Sequence, residues 1–295
     1  MVSSAVDFDC FSERVRQLWE LTDPCVLCPR RCGVSRGKGQ TGFCGIGDMP
    51  VVSSVGPHFG EENELVGSGG SGTIFFAGCN LGCSFCQNYD ISHNREGRRV
   101  TIEQLASSMV KLEDYGCVNI NWVTPTHVVP AITAALEVAR KKGLTLPTVY
   151  NTGGYDSVET LKLLEGLVDI YMPDMKYADG DVAGRLSGAA DYPQVSREAV
   201  KEMHRQVGDL RTENGVAVRG LLVRHLVLPE NLAGSFDVID FLSEQISGRT
   251  SINVMGQYRP CYKAASHPEI SRRPYAEEIQ SVRRYAIAKG LNVLD

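Results

Sequence analysis

The chain has 295 residues, enough to bury one barrel-sized core and a small appendage without requiring two full domains. Its 30 Lys and Arg against 35 Asp and Glu give a net charge of -5, which argues against nucleic-acid backbone binding, an activity that needs a clustered cationic surface. The stretch from Met1 to Cys10 has no basic region followed by an apolar one, and no run is long enough to span a bilayer. A cytoplasmic protein with neither a nucleic-acid nor a membrane partner is expected. In such a reducing compartment its 10 cysteines point to metal ligation more than to disulfides.

In chain order, Cys25, Cys28, Cys32 and Cys44 come first, at CxxC, x3 and x11 spacing among Pro and Gly that supply tight turns. Four thiols suffice for a closed site, structural or electron-transferring, and the spacing suits zinc as well as an iron–sulfur cluster. Arg30, Arg31, Arg36 and Lys38 around them read as a solvated face. Residues 1–66 are expected to form this Cys-rich segment and 67–295 a barrel domain. The run Gly67 to Gly72 matches GxGxxG literally, but it precedes a strand, whereas a dinucleotide fingerprint follows one.

From Thr73 onward short apolar runs alternate with helical periodicity, which predicts six βα units around a parallel sheet. Strands are expected at Thr73 to Ala77, Cys117 to Val123, Leu146 to Tyr150, Val168 to Met172, Arg219 to Leu228 and Ser251 to Met255. The helices between them start with a capping box at Thr101 to Gln104. The next is bracketed by Pro130 and Gly143, with Ile132, Ala135, Leu136 and Ala139 as its buried stripe. Further helices cover Ser157 to Gly166, Ser196 to Val207, Phe236 to Ile246 and Tyr275 to Lys289. His204 shares an apolar face with Val200, Met203 and Val207 and reads as packed.

Directly after the first strand, Cys79, Cys83 and Cys86 stand at CxxxCxxC spacing. Thiolates select zinc, copper(I) or iron–sulfur clusters, and clusters commonly take four cysteines. Three protein ligands leave a position for a small molecule that brings its own amine and carboxylate. A zinc site completed by a distant ligand, or buried thiols acting as small hydrophobes, are the plainer readings.

Parallel βα barrels place reactive groups at the carboxyl ends of their strands. Those ends carry the three cysteines, then Thr124-Pro125-Thr126-His127, Asn151-Thr152-Gly153, Asp174-Met175-Lys176, Arg224-His225 and Gly256-Gln257-Tyr258-Arg259. Lys176 and Arg224 suit a carboxylate. Asn151, Thr152 and Asp174 offer oxygens to a hydroxyl, an ammonium or a hard cation. Taken singly, Asp174 and Lys176 also read as a surface ion pair and Asn151 as a turn residue. Cys117 reads as a buried strand thiol and Cys261 as a rim thiol, while His58, His93, His225 and His267 have no assignable partner.

The cysteine loop resembles that of radical S-adenosylmethionine (SAM) enzymes, whose signature carries an aromatic residue before the last cysteine, here Phe85. GTIFFAGCNLGCSFCQNYDIS, VTPTHVVP, VYNTGGYD, DIYMPDMKY and VRHLVLP look most like the activases of glycyl radical enzymes. The likeness is strongest to the uncharacterised branch related to pyruvate formate-lyase activating proteins. That resemblance implies a partial (βα)6 barrel with a [4Fe-4S] cluster on Cys79, Cys83 and Cys86. It implies cleavage of SAM to methionine and a 5'-deoxyadenosyl radical that takes a hydrogen atom from a substrate. A one-electron donor such as flavodoxin or ferredoxin is the implied partner, and a glycine in a partner protein the leading substrate.

By the same similarity Asp174 and Lys176 match the activase D-x-K element and Arg224 a SAM-contacting arginine. Asn151-Thr152 match an Asp-Thr pair near the SAM carboxylate and a monovalent cation. With Phe85, Thr124, Thr126 and His127 these are the cofactor-binding candidates. The chain departs from the activases at Thr124-Pro125-Thr126-His127, where they carry Gly-Gly-Glu, and at Asn151, where they carry Asp. Gln257-Tyr258-Arg259-Pro260 replaces a histidine-bearing segment, and Gln257, Tyr258 and Arg259 are the substrate candidates. Two alternatives stand beside the activase: radical modification of a peptide or small molecule, and a non-catalytic electron-transfer or metallo-regulatory protein.

Overall fold

A computed structural model describes residues 10–294, so the stretch read above for targeting signals lies, but for Cys10, outside the described residues. The first half of the chain forms α1 (Glu13–Glu20), β1 (Val51–His58), α2 (Asn63–Val66), β2 (Ser71–Phe76), α3 (Tyr89–Ser92), β3 (Arg98–Arg99), α4 (Ile102–Asp114), β4 (Ile120–Val123) and α5 (Val129–Lys141). There follow β5 (Thr148–Thr152), α6 (Val158–Leu163), β6 (Ile170–Pro173), α7 (Gly180–Ser187), α8 (Tyr192–Val207), β7 (Arg211–Glu213) and β8 (Val216–Leu226). The chain closes with α9 (Ser235–Phe241), β9 (Ser251–Met255), α10 (Ala276–Ala288) and β10 (Asn292–Leu294). Among the described residues no helix is long and apolar enough to cross a membrane.

Strands β2, β4, β5, β6, β8, β9 and β10 lie side by side in sequence order, all parallel. Each crossover returns to the next position along the sheet, so the sheet winds one way and makes the expected partial barrel. Ile74, Trp122, Tyr150, Tyr171 and Val223 face the helices in one large core, while Val149, Ile170, Met172 and Leu222 belong to a separate inner cluster. That split is the period-2 alternation of strands buried on both faces.

Two edge strands were not legible as such. β1 pairs antiparallel with β2, and β3 reaches only Val51 and Val52 of β1, so Pro57 lies where its missing N–H breaks no ladder. β10 extends the parallel set beyond the six expected strands. The second strand starts later than the apolar run suggests, because the Cys117 amide bonds the Leu112 carbonyl 3.1 Å away and so closes the last turn of α4. β8 starts earlier, at Val216, because Asn214 and Gly215 at φ 52° and 80° turn a hairpin from β7. The glycine run before β2 is a close approach: a Cβ on Gly69 would lie 1.7 Å from the Gly116 carbonyl oxygen.

The link between β1 and β2 crosses the inside of the curl. Leu65 of α2 is fully buried in the inner cluster, and its carbonyl accepts from Asn119 at 2.8 Å. Just ahead of it the Glu62 carboxylate accepts from Nε and Nη2 of Arg224 at 2.8 and 2.6 Å and from Asn253 at 2.8 Å. Glu61 takes the same Arg224 Nη2.

His225 points the other way from β8. Nδ1 meets the Met175 carbonyl at 2.6 Å and Nε2 the Ser235 hydroxyl at 2.8 Å, at the start of α9. Burial pushes its pKa down to about 4, against the Met175 hydrogen bond. Since the unfolded value is about 6.5, the stability it contributes is whole above that pH and is lost as pH falls toward 4. About 3 kcal/mol is at stake. Urea titrations at pH 7 and pH 4.5 should show a smaller pH loss in His225→Gln than in wild type.

Candidate active site

The loop that follows β2 is fastened on several sides. Gly78 has φ 80°, and a Cβ there would lie 2.7 Å from the Cys44 carbonyl oxygen, so glycine is required. Gly82 and Ser84 amides bond the Ser187 and Leu186 carbonyls at 3.1 and 2.7 Å, and Asn80 Nδ2 bonds the Tyr155 carbonyl at 2.6 Å. From the far end of the chain the Lys263 amide reaches the Ser84 carbonyl at 2.8 Å.

Each sulfur on this loop has a polar neighbour. The Leu81 amide lies 3.3 Å from Cys79 Sγ, the Ser187 hydroxyl 2.9 Å from Cys83 Sγ and the Ser92 hydroxyl 3.1 Å from Cys86 Sγ. Burial pushes the Cys79 thiol up to about 12, and charge on Cys83 and Cys86 adds to the shift. As bare thiols Cys79 and Cys83 are protonated and poor nucleophiles; as thiolates they need a cation. Three sulfurs with hydrogen-bond donors suit a cluster, whose potential such donors tune. Phe85 is buried behind the loop, edge-on to Tyr177 and Tyr258 with centroids 6.4 and 5.7 Å away.

The rim residues come together over this loop. Asp174 and Lys176 pair at 2.5 Å after β6, and the Asp174 backbone lies in register with that of Arg224 on β8. Burial opposes the Lys176 charge, yet Asp174 and Cys83 outweigh it and hold the ammonium well above the usual lysine value. The Tyr192 hydroxyl accepts from the Lys176 amide at 3.0 Å and bonds the Gly153 carbonyl at 2.9 Å. Asn151 lies between Val123 and Met172 in register, half-buried, and its carbonyl accepts from the Thr124 amide at 2.8 Å. Thr124 has φ 59°, a strained conformation for a β-branched residue at a rim.

Thr126 and Thr152 lie lower, both bonded to the buried Asp156 at 2.7 and 2.6 Å, with the Tyr150 hydroxyl at 3.0 Å. Burial pushes the Asp156 carboxyl up, and the three hydroxyls work against it. These threonines therefore brace the strand ends beneath the rim, with their hydroxyls engaged inward.

Several sequence expectations need correction. Arg36 is no solvated side chain: it is 3% exposed and donates to the Gly47 and His127 carbonyls. Arg30 lies over the Phe43 ring and donates to the Asn80 carbonyl at 2.8 Å. His127 is buried beside the N-terminal cysteines, away from the rim, because its Nε2 is drawn to the Ala77 carbonyl at 2.8 Å. Tyr258 is fully buried with its hydroxyl on the Ile270 carbonyl, so it supports Phe85 and does not face a substrate, while Gln257 and Arg259 are exposed. His204 pairs with Asp209 at 3.0 Å at the end of α8. Arg224 carries two glutamates, and its Nη1 is the end that neither engages.

Residues that sequence reasoning passed over include Ser187, Ser92, Asp156 and Glu62. Ser187 closes α7, a helix with Gly180 and Gly184 in its first turns whose one signal was Asp179, which caps the Val182 amide at 2.8 Å. The segment after β9 also packs on the cysteine loop, Tyr262 stacking on His93 and Tyr89 at 4.5 and 5.3 Å. Among the described residues no three His, Cys, Asp or Glu side chains close on one ion-sized position.

This geometry has counterparts among known proteins. Residues 73–226 match the Radical SAM superfamily. An uncharacterized protein of Methanocaldococcus jannaschii is 33% identical over 280 residues, which cover 92% of this chain and 76% of that protein. The pyruvate formate-lyase-activating enzyme of Clostridium pasteurianum is 27% identical over 130 residues, 42% of this chain and 53% of that enzyme. In three dimensions the chain is similar to HydG, a maturase of FeFe-hydrogenase, with a TM-score of 0.52 and 14% identity over 75% of this chain and 50% of that one. That last likeness is one of fold alone. By the match over residues 73–226, more than half of its length, the chain belongs to the radical SAM superfamily.

Proposed function

We propose that this radical SAM enzyme takes a hydrogen atom from a glycine in a partner protein, in the manner of a glycyl radical enzyme activase. The family implies a [4Fe-4S] cluster and SAM as cofactors. When bound, they supply a 5'-deoxyadenosyl radical and methionine at the expense of one electron from a donor such as flavodoxin or ferredoxin. Cys79, Cys83 and Cys86 would hold the cluster, and the remaining residues hold and orient SAM. Lys176, kept cationic by Asp174, faces a carboxylate, and Arg224 stands on the neighbouring strand end. The oxygens of Asn151 and Asp174 receive an ammonium, a ribose hydroxyl or a monovalent cation.

The observation that carries this reading is the Asp174–Lys176 pair standing within electrostatic reach of Cys83, at the D-x-K position of the activases. The partial similarity to an enzyme that activates pyruvate formate-lyase supports it further. The test is an anaerobic incubation of reconstituted protein, reductant and SAM with each glycyl radical enzyme of the host. A glycyl doublet in the electron-spin spectrum is expected, and its absence from every such partner rejects the activase assignment. Lys176→Ala should raise the KM for SAM about tenfold or more, the worth of one charged hydrogen bond, read from 5'-deoxyadenosine formation.

A second reading, modification of a peptide or small molecule, draws on the segment after β9. Its Lys263 amide is docked on Ser84, which sets the exposed Gln257 and Arg259 beside the cysteine loop. Deuterium transfer from a labelled peptide into 5'-deoxyadenosine would favour it.

A further inference from the structure

We infer that Cys25, Cys28, Cys32 and Cys44 surround an anionic iron–sulfur cluster, in a pocket that His127 and Arg36 complete. All four thiols line one pocket together with Arg30, Arg36, Phe43 and His127. The backbone is fitted closely to the sulfurs. The Phe43 amide lies 3.4 Å from Cys32 Sγ, and a Cβ on Gly42 would stand 2.7 Å from that sulfur.

Two independent observations point to an occupant. The first is His127, 2% exposed, whose Nε2 faces the Ala77 carbonyl at 2.8 Å. A carbonyl only accepts, so Nε2 carries the proton and Nδ1 presents a bare lone pair. That Nδ1 is buried with no hydrogen-bond partner among the described residues, in a side chain lining a pocket of thiols. A buried acceptor left without a donor is costly, and a cluster iron satisfies it; with five donors for four corners, one of the four thiols is then a neighbour of the cluster and not a ligand.

The second is Arg36, a buried cation whose hydrogen bonds run to the Gly47 and His127 carbonyls, with no carboxylate partner among the described residues. A buried charge without a counter-charge is strongly unfavourable. Thiolates on a metal centre supply one. The donors surround the pocket without any three closing on a single ion-sized point, as the three thiols of the Cys79 loop also do. A cluster with ligands at its corners suits that spread better than a lone zinc, whose bonds of about 2.3 Å gather its sulfurs tightly.

This centre shares a wall with the Cys79 loop. The Cys44 carbonyl abuts Gly78, Arg30 holds the Asn80 carbonyl, and His127 holds that of Ala77. The test compares anaerobically reconstituted wild type with Cys28→Ala/Cys32→Ala and His127→Phe, counting iron, acid-labile sulfide and zinc per chain. Electron-spin spectra with and without SAM report separately on the Cys79 site. The double variant should lose about half the iron and sulfide and keep the SAM-responsive signal. His127→Phe should alter the signal that does not respond to SAM.

Full iron in the double variant overturns the site, and zinc released in place of iron overturns the cluster. An unchanged SAM-insensitive spectrum in His127→Phe removes that residue from the site. Should the double variant lose both signals, the single Cys44→Ser protein carries the same count with less disturbance. Failure of the Cys79 reading shows differently, as a wild-type spectrum that SAM leaves unchanged.

Discussion

Reconstituted Cys79→Ala protein, given excess reductant and SAM, should form 5'-deoxyadenosine at less than about one-hundredth of the wild-type rate. Residues that merely support metal ligands are worth 10–100-fold on mutation, so deleting a ligand costs more. Ser187→Ala provides the graded comparison. Its hydroxyl lies 2.9 Å from Cys83 Sγ without being a ligand, and its loss should fall within about 10–100-fold. Chromatographic assay of 5'-deoxyadenosine over time checks both. Equal losses in the two variants would mean that the loop folds as a unit and that neither residue acts through the cluster alone. Full activity in Cys79→Ala would remove the loop from the reaction altogether.

The second large effect is on stability. Glu62→Ala should destabilise the protein by about 3–5 kcal/mol, because it strips the doubly hydrogen-bonded counter-charge from a guanidinium buried inside the barrel. Burial raises the Glu62 carboxyl, yet hydrogen bonds and charge from Arg224 outweigh it and hold the pKa below the usual range. Glu62 is the deeper of the two acids, its side chain wholly inaccessible against 6% for Glu61. Glu61→Ala should therefore cost less. Replacing all three charges, as in Glu61→Gln/Glu62→Leu/Arg224→Met, should recover most of the loss, since it leaves no buried charge unpaired and avoids the desolvation that the ion pairs suffer. Urea denaturation midpoints at pH 7 read all of these. A Glu62→Ala protein as stable as wild type would show that Arg224 finds water or another acceptor within the curl.

Features encoded by near neighbours were legible in the sequence. The CxxxCxxC spacing, the Thr101–Gln104 capping box and the apolar runs that became β4, β5, β6 and β9 all lie within windows of a few residues. The rim followed once the strand ends were known, because parallel strands share a carboxyl end. Contacts across the chain were hidden. Nothing near Glu62 announces a partner 162 residues away, and Arg36 looks solvated until Gly47 and His127 are folded against it. Other features were masked by residues that weaken a pattern without forbidding it. Gly56 and Pro57 disguised β1, and Gly180 and Gly184 disguised α7, which brings Ser187 to the cysteines. Asn214-Gly215 was an available hairpin signal, and it explains why β8 runs longer than its apolar core. His127 was placed at the rim because its strand end is there, yet its ring turns back toward Ala77.

The chain segment carrying Glu61, Glu62 and Leu65 fills the inside of the curl from its floor up to the level of Arg224 and Asn253. A reactant coming from the base would have to displace this segment, whereas the cysteine side carries the rim residues. A protein serving as hydrogen donor would meet the cysteine loop from that side.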